Sequence, residues 1–596
     1  MFQAVLVANR GEIALRILRS CRELGIPTVA VYSEADRDAP WLRLADQAYL
    51  LGPASPASSY LNMDRLLEAA QDSGAEAVHP GYGFLSENAE FARAVSDAGL
   101  TWIGPPPDAI VQMGDKLSAR KAAEAAGVPL VPGTLEPTDD PATVLAFAQK
   151  HGFPVAIKAA FGGGGRGLKV VRDPAGLPTA LEGARREAAA AFGRGEVYVE
   201  RYLRRPRHLE IQVLADTHGN CLFLGERDCS TQRRHQKLIE EAPAPGLDPD
   251  VRAAMGEAAV RISKQVGYQG AGTVEFLFDE GEFYFLEMNT RLQVEHPVTE
   301  VVTGVDLVHW QLRVAAGQPL SFSQEDVIIR GHAIEARINA EDCAAGFAPA
   351  PGLITTWRPP SGPGVRVDAG VEAGFEIPRA YDSLIAKLIA YGADREETRR
   401  RMLRALDELV IEGVPTTADF HRLAFVHPDF VAGRVSTVSV ETEWDLSSLP
   451  VATAATQAAG ARLASRTLTV EVDGKRLEVA LFEPEAGASS PRRRERRGVR
   501  SGKRTDGPAI EDLVAPMQGT IVKTVAHAGR AVAAGDLVLI LEAMKMENHI
   551  NAHRDGVLTA LHVAAGDVVN AGDVLATISD VGAGPADPRE GSPVEP

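Results

Sequence analysis

The hexapeptide EAMKME, residues 542–547, lies between two sets of glycines that have the same internal spacing. The first set stands at positions 519, 529 and 535, and the second at positions 556, 566 and 572. Short β-rich segments run between the glycines, which is typical of small paired strands. The repeat predicts two strand-and-turn units related by a pseudo-two-fold, with Lys545 displayed at the hairpin turn between them.

Length and composition set the broad class of the protein. A chain of 596 residues is expected to form several domains, and no apolar run approaches the roughly 20 residues that span a bilayer. Met1 leads almost directly into a strand-like segment without room for a signal peptide, so we expect a cytoplasmic protein without membrane contact. The net charge of −18 opposes nucleic-acid binding, and four scattered cysteines suggest neither disulfides nor a zinc site.

Residues 3–33 alternate strand, helix and strand. An apolar run precedes NRGE at 9–12, which opens an amphipathic helix, and Gly25 ends that helix before a second apolar run. This βαβ pattern predicts that a doubly wound domain begins the chain. A further segment, HPGYGFLSEN at residues 79–88, predicts a loop before another helix.

A glycine-rich run, GGGGRG at residues 162–167, follows a strand-like segment. It satisfies a dinucleotide-binding pattern, but that pattern needs a helix after the glycines, and LKVV at 168–171 indicates a strand. We interpret the run as the tip of a β-hairpin, a flap whose backbone amides can close over phosphates. A hairpin that is merely flexible is the alternative.

Residues 271–289 predict a hairpin that brings two glutamates together. Two alternating strands flank DEG at 279–281, so Glu275 is expected opposite Glu287 on one face. Opposed carboxylates on apolar strands repel each other unless a cation lies between them. With Asn289 one pleat further, these oxygen ligands fit Mg²⁺.

Polar residues continue at every second position after Glu287, up to Glu295. If the strand continues, Asn289, Arg291 and Gln293 lie on the same face as both glutamates. We interpret this face as one wall of an active site, and an exposed strand with the same alternation is the alternative.

These motifs resemble those of biotin-dependent carboxylases. AMKM at 543–546, preceded by APM at 515–517, is similar to the attachment sequence of biotinyl carrier domains, whereas lipoyl domains usually lack the flanking methionines. Residues 1 to about 446 resemble biotin carboxylase, an ATP-grasp enzyme. The resemblance implies biotin linked covalently to Lys545, with ATP, Mg²⁺ (or Mn²⁺) and the substrate bicarbonate as the other ligands.

The resemblance also implies a role for individual residues. It assigns the nucleotide to Lys116, Lys158, Gly163, Gly164, Gly165, Gly167, Glu200, Leu203, His208, Gln232 and His235. It assigns Mg²⁺ to Glu275, Glu287 and Asn289, and bicarbonate to Lys237, Arg291, Gln293, Val294 and Glu295. Among these, Glu295 is implied as general base, with Lys237 and Arg291 also catalytic, and Arg337 is implied to stabilise the biotin enolate.

The resemblance predicts a multidomain α/β protein that ends in an all-β flattened barrel. The predicted parts are a Rossmann-like domain at 1–115, an ATP-grasp domain at 116–330, an α+β subdomain at 331–446, a linker at 447–508, a biotinyl domain at 509–580 and a disordered tail at 581–596. Within the linker, residues 467–482 predict a hairpin with Asp473 and Gly474 at its turn. The arginine-rich residues 486–507 that follow are interpreted as an extended, solvated tether, with a nucleic-acid-binding tail as the alternative.

The implied reaction begins when bicarbonate attacks the γ-phosphate of ATP to give carboxyphosphate, which releases CO₂ beside biotin. No segment resembles a carboxyltransferase, so a separate β subunit is implied, with acyl-CoA at that partner's site, a biotin protein ligase and a hetero-oligomer. The size and order of the chain resemble α chains of the actinobacterial acetyl-/propionyl-CoA type, although 447–508 is short for a full docking domain. Two alternatives are an ATP-grasp ligase fused to a lipoyl-like domain and a scaffold whose nucleotide site has decayed.

Overall fold

The structure is a computed structural model that describes residues 1–160, 168–450, 463–472, 475–484, 511–516, 519–543, 546–569 and 572–579. It divides into two compact units, one of residues 1–378 and 383–459 and the other of residues 379–382 and 460–596. Within the described ranges, each helix is too short or too polar to span a bilayer.

A parallel sheet begins the chain. Its elements are β1 (Val5–Val7), α1 (Gly11–Glu23), β2 (Thr28–Ser33), α2 (Pro40–Leu44), β3 (Gln47–Gly52), α3 (Met63–Ser73), β4 (Ala77–His79), α4 (Ala89–Asp97) and β5 (Thr101–Trp102). The strand order β3-β2-β1-β4-β5, with every neighbouring pair parallel, is the doubly wound arrangement predicted from residues 3–33. Ile13 and Ile17 recur at helical spacing on α1, so they pack into one core with Val5 and Val7 of the central strand.

The chain before and after the predicted glycine flap forms strands of a small antiparallel sheet. The elements of this region are α5 (Pro107–Gly114), α6 (Lys116–Ala125), α7 (Pro141–His151), β6 (Val155–Ala159), β7 (Lys169–Val171), α8 (Leu177–Phe192) and β8 (Val197–Arg201). β6 pairs antiparallel with β7, from Val155 opposite Val171 to Ile157 opposite Lys169. The strand predicted after the glycines is therefore confirmed, whereas residues 161–167 themselves lie outside the described residues.

One antiparallel sheet of eight strands holds most of the charged residues that the sequence singles out. Its region contains β9 (Arg207–Ala215), β10 (Cys221–Arg233), β11 (Gln236–Ala242), α9 (Pro249–Gln265), β12 (Gly270–Asp279), β13 (Glu282–Asn289), α10 (His296–Thr303), α11 (Leu307–Ala315), β14 (His332–Asn339), β15 (Glu341–Asp342), β16 (Ala348–Pro349), β17 (Thr356–Arg358), β18 (Val365–Ala369) and β19 (Leu384–Gly392). The order is β13-β12-β9-β10-β11-β14-β19-β18. The sheet thus runs without a break across the predicted division at residue 330, where β11 pairs with β14.

Helices complete the first unit on one side of β14 and β19. They are α12 (Arg395–Glu408), α13 (Ala418–Val426) and α14 (Pro428–Val431), with strand β20 (Val410–Glu412) between the first two. Met402, Leu406 and Phe420 are fully buried and share a core with Ile338 and Leu388 of the sheet.

The second unit contains two four-stranded sheets of repeated design. Its strands are β21 (Leu463–Val472), β22 (Lys475–Pro484), β23 (Asp512–Val514), β24 (Gly519–Thr524), β25 (Ala531–Val532), β26 (Leu537–Ala543), β27 (Met546–Asn551), β28 (Gly556–Leu561), β29 (Val568–Val569) and β30 (Val574–Ser579). The orders are β23-β30-β28-β25 and β27-β26-β24-β29. The Gly529 N–H donates to Leu558 O at 2.7 Å and the Gly566 N–H donates to Ile521 O at 2.7 Å, so the two halves use equivalent bonds. The predicted pseudo-two-fold is confirmed.

Two further predictions concern links in this unit. β21 and β22 pair antiparallel from Leu463 opposite Pro484 to Val472 opposite Lys475, so the hairpin predicted at 467–482 is present with longer strands. Its predicted turn, Asp473-Gly474, lies outside the described residues, as do the arginine-rich residues 486–507 and the tail after 579.

Candidate active site

The two predicted glutamates face each other across β12 and β13. Glu275 pairs with Glu287, and Thr273 pairs with Asn289. The turn is tighter than a loop centred on Gly281, because Asp279 already pairs with Glu282. A bulge between Glu275 and Phe276 shifts the register by one residue and restores the predicted pairing. The predicted pairing is confirmed, and it depends on this bulge.

Lys237 of β11 lies at the centre of a carboxylate cluster. Its Nζ is 2.6 Å from Glu210 Oε2, 2.8 Å from Glu275 Oε1 and 2.6 Å from Glu295 Oε1. Burial alone would lower the pKa of Lys237, but the three carboxylates raise it well above its ordinary value. Lys237 is therefore a charged ammonium that holds three strands and the segment at Glu295 together.

Glu295 is fully buried between two cations. Its Oε1 accepts from Lys237, and its Oε2 accepts from Arg337 Nη2 at 2.9 Å, while Arg337 Nε donates to Glu240 Oε1 at 2.6 Å. Burial disfavours the carboxylate, but Lys237 and Arg337 together hold the pKa of Glu295 below its usual range. Burial raises the pKa of Glu240 to about 7 although Arg337 opposes the shift. Arg337 therefore bridges a firmly ionised carboxylate and one that can be protonated near neutral pH.

The predicted continuation of β13 to Glu295 is wrong. The strand ends at Asn289, and residues 290–295 form a bend and a turn before α10. The Thr290 N–H donates to Glu87 Oε1 at 3.1 Å. Because this donor bonds to a carboxylate from another part of the chain, the period-two geometry stops where the strand does.

The segment nevertheless gathers the predicted polar side chains. Arg291 Nη2 donates to Asn289 Oδ1 at 3.0 Å, Arg291 Nη1 donates to Gln293 Oε1 at 3.0 Å, and Gln293 Nε2 donates to Glu275 Oε1 at 3.1 Å. Arg291 Nε also donates to Glu87 Oε2 at 2.9 Å. The predicted bicarbonate residues are thus connected through direct contacts to the predicted metal residues.

A second group of cations lies on α6 and β6. The Lys158 ammonium pairs with Glu200 Oε1, and Arg120 Nη1 is 3.4 Å from Glu200 Oε2. Burial lowers the pKa of Lys116, an effect that nearby Glu287 opposes and Lys158 reinforces. Lys116 therefore lies within electrostatic range of Lys158 and of Glu287.

The remaining predicted nucleotide residues lie on β9, on β10 and its turn, and just after β8. His208 Nε2 is 3.1 Å from Glu275 Oε2, and Gln232 Nε2 lies 3.3 Å from His208 Nδ1. His235 is in the two-residue turn between β10 and β11 with φ of 63°, a strained conformation of the kind found at functional sites. Leu203 is buried after β8, and no contact with the charged cluster is observed for it among the described residues.

Some predicted residues lie outside the described residues. They are Gly163, Gly164, Gly165, Gly167 and Lys545. The strands on both sides of residues 544–545 are described, and they pair up to Ala543 opposite Met546. The predicted position of Lys545 at a hairpin turn itself falls outside the described residues.

Several charged residues of the cluster were missed from the sequence. Glu210 of β9 accepts from Arg227 Nε at 2.5 Å and lies beside Lys237, and Glu240 lies on Arg337. Lys387 of β19 is fully buried and donates to Val294 O at 2.9 Å. A charged residue inside a mainly apolar strand was the available signal for Glu210 and Lys387. Glu240 gave no such signal, because β11 also carries Lys237 and Glu241.

The carboxylate pair provides a test of whether a divalent cation fits. Burial and the facing Glu275 charge raise the pKa of Glu287, whereas Lys237 and His208 hold the pKa of Glu275 well below its ordinary value despite its burial. A cation between them would relieve the repulsion felt by Glu287. Two carboxylates and the Asn289 amide oxygen are the hard oxygen ligands that Mg²⁺ prefers, so the residues fit that ion.

Family models match four parts of the chain. They are "Biotin carboxylase, N-terminal domain" at residues 1–110, "Carbamoyl-phosphate synthase L chain, ATP binding domain" at 115–323, "Biotin carboxylase C-terminal domain" at 335–442 and "Biotin-requiring enzyme" at 511–578. The first three cover the parallel sheet, the small flap sheet and the eight-stranded sheet, and the last covers the repeated barrel.

Curated relatives share this sequence over long stretches. The biotin-dependent acyl-coenzyme A carboxylase alpha3 subunit of Mycobacterium leprae is 51% identical over 96% of this chain and 98% of its own length. The biotin carboxylase of Haemophilus influenzae is 55% identical over 73% of this chain and 97% of its own length. The first relative spans both units, whereas the second matches a stretch the size of the first unit alone.

Solved structures show the same fold. A biotin carboxylase–βγ-ATP complex from Campylobacter jejuni matches with a TM-score of 0.72 and 45% identity, over 74% of this chain and 98% of its own. The biotin carboxylase domain of the Hydrogenobacter thermophilus 2-oxoglutarate carboxylase, solved with MgADP, ADP and bicarbonate, matches with a TM-score of 0.71 and 48% identity, over 74% of this chain and 97% of its own.

These matches confirm the predicted fold class, and they confirm biotin, ATP, Mg²⁺ and bicarbonate as ligands of the family. The coverage of the Mycobacterium leprae subunit is decisive, because it includes the biotin carboxylase part and the biotin-bearing part in one alignment. The chain belongs to the α subunits of biotin-dependent acyl-CoA carboxylases.

Proposed function

We propose that this chain uses ATP and bicarbonate to carboxylate biotin carried on its own Lys545, and that a separate β subunit transfers the carboxyl group to an acyl-CoA. The observation that carries the proposal is the buried array in which Lys237 and Arg337 hold the two oxygens of Glu295. An ionised carboxylate between two cations provides both a base and the positive charge that an anionic substrate needs.

The nucleotide would lie between the flap and the eight-stranded sheet. Lys116 and Lys158 would offset the charge of the transferring phosphoryl group, and Mg²⁺ would be held by Glu275, Glu287 and Asn289. When bound, the ion supplies charge neutralisation at the phosphates. Glu200 holds Lys158 from one side, and His208 and Gln232 line the neighbouring strands. Glycines 163–165 and 167 would close over the phosphates and exclude water.

Bicarbonate would replace carboxylates as the partner of two cations. Lys237 pairs with Glu295. Arg291 donates hydrogen bonds to Glu87, Asn289 and Gln293. An entering anion can take over some of these contacts. If Lys237 turns toward bicarbonate, Glu295 loses a cation that depresses its pKa, and its strength as a base rises. Glu295 is thus a weak base while Lys237 contacts it and becomes a stronger base when bicarbonate binds.

Biotin, when attached, supplies the ureido nitrogen that accepts the carboxyl group. Two charge-assisted hydrogen bonds, to Glu240 and Glu295, fix the orientation of the Arg337 guanidinium. From this position Arg337 can donate to the developing oxyanion. Glu240 would keep Arg337 oriented when Glu295 acts as base.

The recipient of the carboxyl group is proposed to lie on another chain. The α-subunit family implies a carboxyltransferase partner, and we propose a β subunit that accepts acetyl- or propionyl-CoA, within a hetero-oligomer. A biotin protein ligase would modify Lys545. Purified chain assayed with candidate β subunits against acetyl-, propionyl- and longer acyl-CoAs would identify the substrate, and carboxylation of none of them by any β subunit would contradict this part of the proposal.

The test of the first half-reaction is bicarbonate-dependent ATP cleavage by the purified chain with Mg²⁺ and free biotin. Glu295→Gln preserves shape and removes the base, so cleavage is expected to fall by roughly 10²–10⁴-fold while ATP binding persists. Glu325→Gln, an exposed glutamate on the same unit, is the matched control and should match the wild type. Undiminished turnover in Glu295→Gln would remove Glu295 from its assigned role.

A further inference from the structure

The turn between Gln293 and His296 presents two peptide units beside the proposed bicarbonate site. The first joins Gln293 to Val294 and the second joins Val294 to Glu295. Gln293, Glu295 and His296 are buried, whereas Val294 is half-buried. The carbonyl oxygens of both peptide units are bonded by buried side chains that are not among the proposed substrate contacts.

His296 holds the first carbonyl. Its Nδ1 lies 2.7 Å from Gln293 O, and its backbone N–H donates to the same oxygen at 3.4 Å. Because a carbonyl oxygen only accepts, the ring proton must be on Nδ1. Burial, with Lys387 and other cations nearby, lowers the pKa of His296 well below its ordinary value, so the ring carries that single proton. Nε2 lies 3.9 Å from Glu300 Oε2, beyond hydrogen-bond distance.

Lys387 holds the second carbonyl. Its Nζ donates to Val294 O at 2.9 Å and lies 3.2 Å from Glu12 Oε2. The Tyr82 ring lies 5.8 Å from the same ammonium, and the Tyr82 hydroxyl donates to Glu12 Oε1. The ammonium therefore joins the parallel sheet region, the eight-stranded sheet and the turn at one backbone oxygen. A buried lysine with a dedicated counterion costs desolvation energy, which calls for a role beyond packing.

The two bonds fix the direction of two donors. In a trans peptide the N–H points opposite to the C=O of the same unit, so the Val294 and Glu295 N–H groups point away from His296 and Lys387. Neither N–H donates to an acceptor within the part of the chain that the structure describes. The donors lie in the segment that also carries Arg291 and the Glu295 carboxylate.

We infer that His296 and Lys387 are positioning residues that orient the Val294 and Glu295 N–H groups toward bicarbonate. The inference rests on the proposed function, because it assumes that bicarbonate is the anion at this turn. Preset backbone donors bind an anion without a reorganisation cost, so loss of their orientation should weaken bicarbonate more than ATP.

The test measures the KM for bicarbonate and the KM for ATP separately. His296→Leu removes the ring donor, and its KM for bicarbonate is expected to rise on the order of tenfold or more, with the KM for ATP within about twofold of wild type. His296→Asn places an amide N–H near the position of Nδ1 and should restore the bicarbonate KM to within a few-fold of wild type. The paired change Glu12→Gln with Lys387→Met removes the second anchor together with its acidic partner, and the same split is expected.

The outcomes distinguish the inference from the function beneath it. A wild-type chain without bicarbonate-dependent ATP cleavage would overturn the proposed function and the inference together. If the wild-type chain cleaves ATP but His296→Leu leaves the KM for bicarbonate unchanged, the inference alone is overturned. The same holds if the KM values for ATP and bicarbonate rise equally in His296→Leu. If His296→Leu does not fold, as judged by circular dichroism, the paired Glu12 and Lys387 variant decides by the same criterion.

Discussion

The two units of this protein carry their proposed functional residues in different settings. In the first unit, Lys237 and Arg337 of the eight-stranded sheet hold Glu295, which lies in the turn before α10. In the repeated barrel, the described core is apolar, and the proposed attachment residue Lys545 follows β26 in the sequence. Activation of an anion requires many charges placed in advance, whereas a carrier needs one accessible amine. Damage to the first unit should therefore alter chemistry, and damage to the second should alter delivery.

The substitution Lys545→Arg should distinguish the roles of the two units most clearly, and the largest effect is expected for it. Biotin attachment and acyl-CoA carboxylation should be abolished, while carboxylation of free biotin continues, because arginine cannot form the amide and the first unit is untouched. Avidin blotting after coexpression with a biotin ligase measures attachment. Lys523→Arg is the matched control, as an exposed lysine of the same barrel. A wild-type chain that never binds avidin would contradict the carrier assignment.

Arg337→Gln should produce the reverse pattern. Carboxylation of free biotin is expected to fall by about 100-fold or more, because the charge-assisted donor is lost, while avidin reactivity stays normal. Rates measured at saturating ATP and bicarbonate provide the comparison. Arg358→Gln, an exposed arginine on β17, should behave as wild type. Equal activity in the Arg337 and Arg358 variants would show that Arg337 does not contact the reacting groups.

Leu558→Ala tests whether the barrel has a stability of its own. Leu558 is fully buried in a core formed by residues of the barrel alone, so its truncation should cost about 2–5 kcal/mol of barrel stability. Free-biotin carboxylation should not change. Limited proteolysis and thermal unfolding report the effect, with the exposed Val522→Ala as control. Loss of free-biotin carboxylation in Leu558→Ala would mean that the two units depend on each other for folding.

A smaller effect is expected from pH on the first unit. Burial lowers the pKa of His421 to about 4, and its Nε2 lies 2.7 Å from Arg337 O. In the unfolded chain His421 takes up a proton near its ordinary pKa of 6.5, whereas in the folded chain it stays neutral until about pH 4. The free energy of unfolding therefore decreases as pH falls. Between pH 7 and pH 5 the loss is about 2 kcal/mol. His421→Gln, whose amide can replace Nε2–H, should reduce the slope of melting temperature against pH, and an unchanged slope would contradict this account.

The sequence was most informative where the pattern is local. The repeat around Lys545 predicted both halves of the barrel, and the hairpin predicted that Glu275 faces Glu287. The bulge beside Glu275 was not predictable, because nothing in the local alternation distinguishes its register from an unbulged one. The expected strand to Glu295 failed because Thr290 donates to Glu87, about 200 positions earlier in the chain.

The members of the charged cluster that were missed come from strands distant in sequence. Glu210 and Glu240 become functional neighbours of Lys237 and Arg337 only after β9, β10, β11 and β14 are placed in order. The family resemblance supplied the residues proposed to contact substrates and did not indicate the residues that hold them in place. Packing and register across the sheet therefore determine what local spacing cannot show.

The unbroken eight-stranded sheet also limits how such enzymes can be recombined. Ile239 of β11 pairs with Ala336 of β14, and Glu240 of the same strand bonds Arg337. A chimera joined near residue 330 would take β11 from one parent and β14 from the other. It would have to recreate both the pairing register of these strands and the ion pair between them. Exchanges at the linker before residue 511 leave that ladder in one parent, so carriers are the exchangeable module of this architecture.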